Sequence, residues 1–361
     1  MERSRPSTGG SESFRAPGAI LWPRSKVIRG LKKLALLTRS AVANALVLGR
    51  LARASHRQGR RLHLIALVEH FGDIVACEPV IERLRQAGSK DLVWIACREY
   101  GDLVRFHPVL RGWIGVTCLT EWAILRRLFW FVPRTDLHID RRACNWFGVP
   151  VRNRNRSPVT LDNYYLHGNL LTVLSQSGGL DGVEGTPAFH FGDTTEVERD
   201  LAGVDRPFAV FHCRSNEASR DWSSSGFERL ARFLVEETPL SVVEIGLEPV
   251  LPAGLPRIHR LCGRYRLDQY GYLISRSALF VGVDSGFAHV ANAVGTFGVI
   301  LLGHYLRFER YTPYSGRYGR GEGCLILHHE GPLSGLDAEE AIHAVRTILP
   351  AVLSAGSAAS R

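Results

Sequence analysis

Ala278-Leu279-Phe280-Val281-Gly282-Val283-Asp284-Ser285-Gly286-Phe287-Ala288-His289, running on to Val299-Ile300-Leu301-Leu302-Gly303, is the stretch that decides the fold. Residues 279–283 form a short apolar run of the kind that suits a strand buried on both faces, as in a parallel sheet. Asp284-Ser285-Gly286 breaks that run with small hydrogen-bonding residues, which make a good helix start. A helix N-terminus carries unpaired N–H groups and partial positive charge, so an anion such as phosphate suits it. The next segment, 287–294, is short and rich in small residues, and His289 in its first turn can face the same ligand. In open parallel sheets ligands gather beyond the carboxyl ends of the strands. The plain alternative is that Asp284 and Ser285 only cap a helix and His289 is an ordinary polar residue beside a loop.

Outward from there, the chain has 361 residues, 45% hydrophobic and 22% charged, which fits a soluble globular protein of two domains. Its seven cysteines (77, 97, 118, 144, 213, 262 and 324) are scattered without a Cys-x-x-Cys pair. That argues against a zinc site or a secreted disulfide framework and for a reducing compartment.

The net charge of +10 calls for a check of its distribution before nucleic acid is inferred. Residues 1–61 hold 14 Lys or Arg against Glu2 and Glu12, whereas residues 62–361 carry 31 basic and 33 acidic side chains. The basicity belongs to one N-terminal extension. Its Ser-, Gly- and Pro-rich start, to about Gly18, is expected to be disordered. Between Val27 and Leu51 apolar residues recur at helical steps, flanked by Arg24, Lys26, Arg29, Lys32, Lys33 and Arg39, with no acid from Arg15 to Val68. The longest uncharged run, 40–49, is far short of the ~20 apolar residues of a spanning helix. A basic amphipathic segment of this kind can lie on an anionic membrane. A helix packed on the protein with a solvated basic face, or a removed targeting peptide, are the alternatives. On the membrane reading, a chain beginning near Arg61 should keep its fold and lose vesicle binding.

A regular α/β rhythm starts at Leu62. Strand 62–68, turn Glu69-His70-Phe71-Gly72-Asp73, helix 74–87 with Pro79 near its first turn, and strand 92–96 make a right-handed parallel unit. No Gly-x-Gly-x-x-Gly follows the first strand and no Gly-x4-Gly-Lys-Ser/Thr occurs, so dinucleotide and P-loop readings lose their support. The cluster Arg126, Arg127, Arg134, Arg141 and Arg142 is either an anionic acceptor site or scattered surface arginine. Residues 161–175 read as a helix, and 181–187 as a boundary. A second series follows: strand 207–212, polar loop 214–222, helix 225–237, strand 241–246, helix 267–276 and the opening stretch. The expected architecture is therefore α/β, two Rossmann-like domains facing across a cleft, with 1–61 a basic extension, 62–180 one domain and 181–361 the other.

Several pieces of this series together resemble the family 9 glycosyltransferases, whose best-known members are bacterial lipopolysaccharide heptosyltransferases. The pieces are Phe71-Gly72-Asp73-Ile74-Val75 with Pro79, then 212–222, Gly246-Leu247-Glu248, Cys262-Gly263 with Leu267, and Val283-Asp284-Ser285-Gly286 with His289. The resemblance implies a GT-B fold with acceptor on the N-terminal half and nucleotide sugar on the C-terminal half. It implies that Ser215 and Asn216 touch donor phosphate, that Arg220 stands where a Lys is usual, and that Glu248 holds the ribose. Gly246 and Gly263 belong to the same donor loops, Tyr265 would lie beside the base, and Asp284, Ser285, Gly286 and His289 would close on the diphosphate and sugar. Asp73, matching the family's Gly-Asp turn, would be the catalytic base, with His70 and Glu69 as competitors. Arg220 for Lys is not a neutral exchange, and Arg214 stands where the family usually has glycine. The plainer readings are turn glycines at 246 and 263, a solvated loop acid at Glu248, core packing for Tyr265 and a helix cap for Asp73.

The implied activity is inverting, metal-independent transfer of a sugar, a heptose from an ADP-heptose-like donor, to a lipid-linked saccharide acceptor in lipopolysaccharide synthesis. No cofactor is expected beyond the nucleotide-sugar substrate, no nucleic-acid partner, and a peripheral location at the inner face of the cytoplasmic membrane through residues 24–61. A non-catalytic nucleotide-sugar-binding protein of the same fold and a basic nucleic-acid-binding protein are the competing classes.

Overall fold

A computed structural model describes residues 24–359 apart from 154, 156 and 305–310, so the segment expected to be disordered up to Gly18 lies outside the described residues. Two all-parallel sheets organise the chain. In the first, β1 (Leu62–Ala66), β2 (Asp91–Cys97), β3 (Gly112–Val116) and β4 (Arg134–Asp136) lie in the order β3-β2-β1-β4. In the second, β7 (Phe208–His212), β8 (Ser241–Ile245), β9 (Ile258–Arg260), β10 (Leu279–Val283), β11 (Phe297–Gly303) and β12 (Cys324–His329) lie in the order β12-β11-β10-β7-β8-β9. A two-stranded antiparallel pair, β5 (Arg142–Ala143) and β6 (Pro150–Val151), projects from the first unit.

The connecting helices are α1 (Arg24–Arg57), α2 (Phe71–Ala76), α3 (Val80–Gln86), α4 (Leu119–Leu128), α5 (Leu170–Ser177), α6 (Thr195–Leu201), α7 (Ser224–Glu237), α8 (Leu267–Ser275), α9 (Gly286–Val294), α10 (Gly316–Gly319) and α11 (Ala338–Ala359). Every residue of β7, β8 and β10 is buried, which is why these strands read as largely apolar runs rather than alternating ones, β10 without a polar side chain and β8 with Ser241 and Glu244 as exceptions. Each strand of both sheets runs parallel to its neighbours, so the loops at the carboxyl ends gather along one edge of each sheet.

Two helix expectations are corrected. The single helix expected over 74–87 is two helices, because Pro79 has no N–H to continue the first and instead precedes the second with helical backbone. The helix expected over 161–175 is a single 3-10 turn at Tyr164–Leu166 and α-helical only from Leu170: Gly168 turns with φ +100° and Asn169 caps the start, its side chain accepting from Thr172 N–H at 3.0 Å.

The described part of the extension is the 34-residue α1, which packs along the first sheet rather than hanging from it. Leu37 and Leu48 join Leu64, Trp122 and Leu125 in one buried cluster, each such leucine contributing roughly 1.5–3 kcal/mol. Beside them Ser40 Oγ (2.8 Å) and Asn44 Nδ2 (2.6 Å) donate to Oε1 of Glu121, a fully buried carboxylate whose Oε2 accepts Thr117 N–H at 2.7 Å. A chain starting near Arg61 would uncover that cluster and strip Glu121 of two donors. The expectation that it keeps its fold is therefore replaced by one of loss of stability.

Candidate active site

α2 and α9 meet end to end across the two sheets, and two glycines set how closely. A Cβ on Gly72 would fall 2.9 Å from the His289 ring and 3.3 Å from Gly286 Cα; one on Gly286 would fall 2.3 Å from the Phe71 ring. Phe71 and Phe287 close the contact edge to face, centroids 5.0 Å apart. The first turn of α2, with Asp73, is thus held against the first turn of α9.

The β10–α9 junction does more than cap. Ser285 is the N-cap of α9 but makes no side-chain cap bond; its hydroxyl lies 3.0 Å from His212 Nδ1. Asp284 turns the other way, one oxygen accepting from Arg220 (3.2 Å) and the other from Tyr314 Oη–H (2.7 Å). The carboxylate therefore aims a half-buried guanidinium at the amino end of α9. His289 is buried against the Tyr314 ring, centroids 4.7 Å apart, with its Nδ1 unpartnered among the described residues. Burial lowers its pKa, against the opposing pull of the Asp284 and Asp73 carboxylates, so it is a neutral imidazole at pH 7. One guanidinium, helix-end amides and a neutral imidazole are a set that receives a diphosphate.

The remaining donor candidates lie on neighbouring strand-end loops. Ser215 is spent on shaping its own loop: its N–H donates to Asp221 (2.6 Å), its hydroxyl donates to the Glu217 carbonyl (2.7 Å) and accepts Glu217 N–H (3.1 Å). Asn216 beside it is exposed. Arg214, the departure from the family's glycine, is exposed and reaches Asp221 at 3.6 Å. Gly246 accepts Gly263 N–H at 2.7 Å, and Gly263 has φ +64° with the Leu247 carbonyl 3.0 Å from where a Cβ would be, so a side chain is excluded there. Glu248 is exposed on this paired loop. Tyr265 is tied back to α6 through a hydrogen bond from its hydroxyl to Asp200, and its ring packs against Tyr270 at 5.4 Å.

On the opposite side, the β1–α2 loop lines a small cavity with Glu69, His70, Asp73, His138 and Arg142. His70 adopts φ +69°, a strained backbone for a residue with a side chain, and such strain clusters at functional loops. Its Nε2 takes a hydrogen bond from Arg142, which can only donate, so that nitrogen is unprotonated. Burial and then Arg142 lower its pKa, while Asp73 and Glu69 oppose them. With this lone pair engaged, His70 is the weaker competitor to Asp73. Glu69 is buried, with Oε1 3.4 Å from Asn145 N–H and Oε2 without a partner among the described residues. Behind the loop, His138 Nε2 accepts Val68 N–H (2.9 Å) and its Nδ1–H faces Asp136 (2.7 Å), fixing one neutral tautomer. Burial would raise the Asp136 carboxyl, but His138, Trp122 and Arg126 outweigh it and hold it at about 2.

The arginine cluster accordingly divides. Arg126 is a structural partner of Asp136 at 2.7 Å, Arg142 belongs to the cavity, and Arg127, Arg134 and Arg141 are exposed.

Among the described residues one group has metal-ligand spacing: Glu78, His107 and His190, whose ligand atoms lie within 4.8 Å of one another. Its hydrogen bonds read as a clasp. Val109 N–H donates to His107 Nδ1 (3.2 Å), which leaves the ring proton on Nε2, 2.9 Å from Glu78 Oε1. The second Glu78 oxygen accepts Ala188 N–H at 2.7 Å, tying the segment between the domains to the α2–α3 turn.

Residues 170–319 match the family model of glycosyltransferase family 9 (heptosyltransferase). That match runs from α5 to α10, taking in β7 to β11 of the second sheet, and makes this part of the chain similar to the family. Solved structures agree on the fold. A family 9 glycosyltransferase from Veillonella parvula superposes with TM-score 0.59 at 17% identity, over 80% of this chain and 97% of its own. The E. coli ADP-heptose lipopolysaccharide heptosyltransferase II gives 0.58 at 16%, over 80% and 98%, and E. coli heptosyltransferase WaaC with ADP gives 0.53 at 13%, over 79% and 99%. At these identities the likeness establishes the GT-B type α/β fold of two facing units. A search of curated proteins returns no match.

Three residues around the site escape sequence reasoning. His212 and Tyr314 grip Ser285 and Asp284, and Glu244, buried in β8, accepts Leu251 N–H at 3.0 Å and so holds the loop that carries Glu248. His212 is visible as a strand end and as the first residue of the 212–222 piece, with no role attached to it, and Tyr314 lies 30 residues beyond its partner. Glu244 alone left a signal, as a lone acid in an apolar strand.

Proposed function

We propose that the protein is an inverting, metal-independent glycosyltransferase that moves a sugar, a heptose from an ADP-heptose-like donor, to a lipid-linked saccharide acceptor at the cytoplasmic face of the membrane. The observation that carries this reading is the close approach of Gly72 to Gly286, which sets Asp73 opposite the anion-receiving end of α9. Donor diphosphate would lie at Ser285-Gly286 with Arg220 and His289 around it, and Ser215, Asn216, Gly246, Glu248, Gly263 and Tyr265 would supply the loops that hold the nucleotide. The acceptor hydroxyl would enter from the cavity of Glu69, His70 and Arg142 and lose its proton to Asp73 as it attacks the anomeric carbon opposite the leaving nucleotide. The negative charge that develops on the departing diphosphate would be met by Arg220 and the helix-end amides. The anionic membrane surface would be engaged by α1, and the likeness to E. coli heptosyltransferase WaaC, solved with ADP, supports the donor class.

Two measurements test the reading. In a thermal-shift panel of nucleotide sugars, the true donor at about 100 times its Kd adds ~2.7 kcal/mol; no response to any of them removes the donor assignment. Asp73→Asn preserves shape and should fold and bind donor while losing roughly 10²–10⁴-fold in turnover. Near-normal turnover by this variant would leave Asp73 as a structural residue, and donor binding by a wild-type chain that never turns over would favour a non-catalytic binding protein.

A further inference from the structure

Resting on the membrane reading above, we infer that α1 presents a second amphipathic face that binds anionic lipid and lays the acceptor cavity against the bilayer. One face of α1 is used by the fold: Leu37, Ser40, Ala41, Asn44 and Leu48 are buried. On the opposite side Ile28, Leu31, Ala35, Val42 and Leu46 follow steps of three, four, seven and four, which stack on one stripe of a helix. The large members of that stripe are 52–61% exposed. Along its edge run Lys32, Arg39, Arg50 and Arg57, again at helical steps and all exposed. No Asp or Glu lies between Arg15 and Val68, so the face is complementary to an anionic surface along its whole length. By length and composition residues 28–57 could also cross a bilayer. The buried Ser40–Asn44–Glu121 network instead keeps the helix on the protein, so it meets the membrane side-on.

The orientation follows from what the helix touches. Residues 28–36 are exposed on every side and project past the body. Within them Lys33 donates to the Trp146 carbonyl (3.4 Å) and stands 5.7 Å over its ring. Trp146 belongs to the short segment whose Arg142 holds His70 and whose Asn145 faces Glu69. The projecting turns thus sit beside the wall of the acceptor cavity, where a lipid-linked acceptor can enter without leaving the leaflet.

The test uses the full chain and sedimentation with vesicles of phosphatidylcholine alone or mixed with phosphatidylglycerol. Binding should need the anionic lipid and weaken with salt. Lys32→Gln with Arg39→Gln should cost roughly 25-fold, at about fivefold per charge, and Leu31→Ser with Leu46→Ser at least roughly tenfold. Arg232→Gln with Arg346→Gln on α7 and α11 removes the same charge and should change nothing. Brominated lipid should quench tryptophan fluorescence by an amount that falls in Trp146→Phe. Unchanged vesicle binding by both α1 pairs overturns the face, and undiminished quenching in Trp146→Phe overturns the orientation. Thermal shift by nucleotide sugar should be unaltered in all of these variants, so failure of the surface is distinguishable from failure of the transferase reading.

Discussion

Gly286→Ala isolates the contact between the two domains. The substitution keeps the backbone N–H offered to an anion and improves helix propensity by up to about 1 kcal/mol. The new Cβ, however, meets three Phe71 ring atoms at 2.3, 2.5 and 2.8 Å. Carbon–carbon contacts favour about 3.5–4.0 Å, so the ring must move by more than an ångström. Phe287 blocks its edge at 5.0 Å between centroids, and Gly72 next to Phe71 already lies against His289. Overpacking of this kind costs about 1–3 kcal/mol, a net destabilisation of roughly 0–2 kcal/mol if the cleft stays closed. The chain can relieve it by opening the cleft, which separates Asp73 from α9. Calorimetry should therefore show a Tm lower by only a few degrees, with donor affinity nearly intact, while turnover falls at least tenfold. Wild-type turnover in Gly286→Ala would show that the α2–α9 approach is not needed for the reaction.

Three further outcomes are expected. Arg220→Ala should weaken donor binding by roughly 1.5–3 kcal/mol and Ser285→Ala by about 1, read by titration calorimetry, because a charged donor counts for more than a hydroxyl; unchanged affinity in both removes this loop from the donor site. Ser40→Ala with Asn44→Ala should destabilise the protein by about 2–4 kcal/mol, since Glu121 stays buried with its Oε1 undonated; chemical denaturation that gives the wild-type midpoint would mean that α1 is dispensable. Burial pushes His212 down from 6.5 to about 4, so the unfolded chain takes up a proton that the native chain refuses. Stability should therefore be full above pH 6.5 and fall by roughly 3 kcal/mol as pH drops to 4, and His212→Asn should flatten that slope.

What was legible in the chain was local. Residues 279–289 announced strand, turn and helix because an apolar run, a polar break and small residues are adjacent in sequence, and the structure forms β10 and α9 there. The paired parallel sheets followed from repetition of the same pattern. Less legible were partners that arrive from far along the chain. Asp284 looked like a cap, but Tyr314 and Arg220 reach it from 30 and 64 residues away and give it another task. The extension showed one apolar stripe by its periodicity. That the helix has two faces, one closed by Glu121 and one open, depends on which neighbours α4 and β3 supply. Tyr265 was expected beside the base, yet Asp200, 65 residues before it, decides where its hydroxyl points.

Glu78 is a mechanical joint. Its two oxygens connect His107 of the first domain and the Ala188 amide of the linker at the turn where α2 gives way to α3. On the proposed reading, a swing of the donor-carrying sheet about that linker would reach the element that bears Asp73 by a route that bypasses the cleft altogether. Arrival of the proposed nucleotide on one side would in this way adjust the reach of Asp73 on the other before any acceptor is present, which would make donor-first binding the natural order of the reaction.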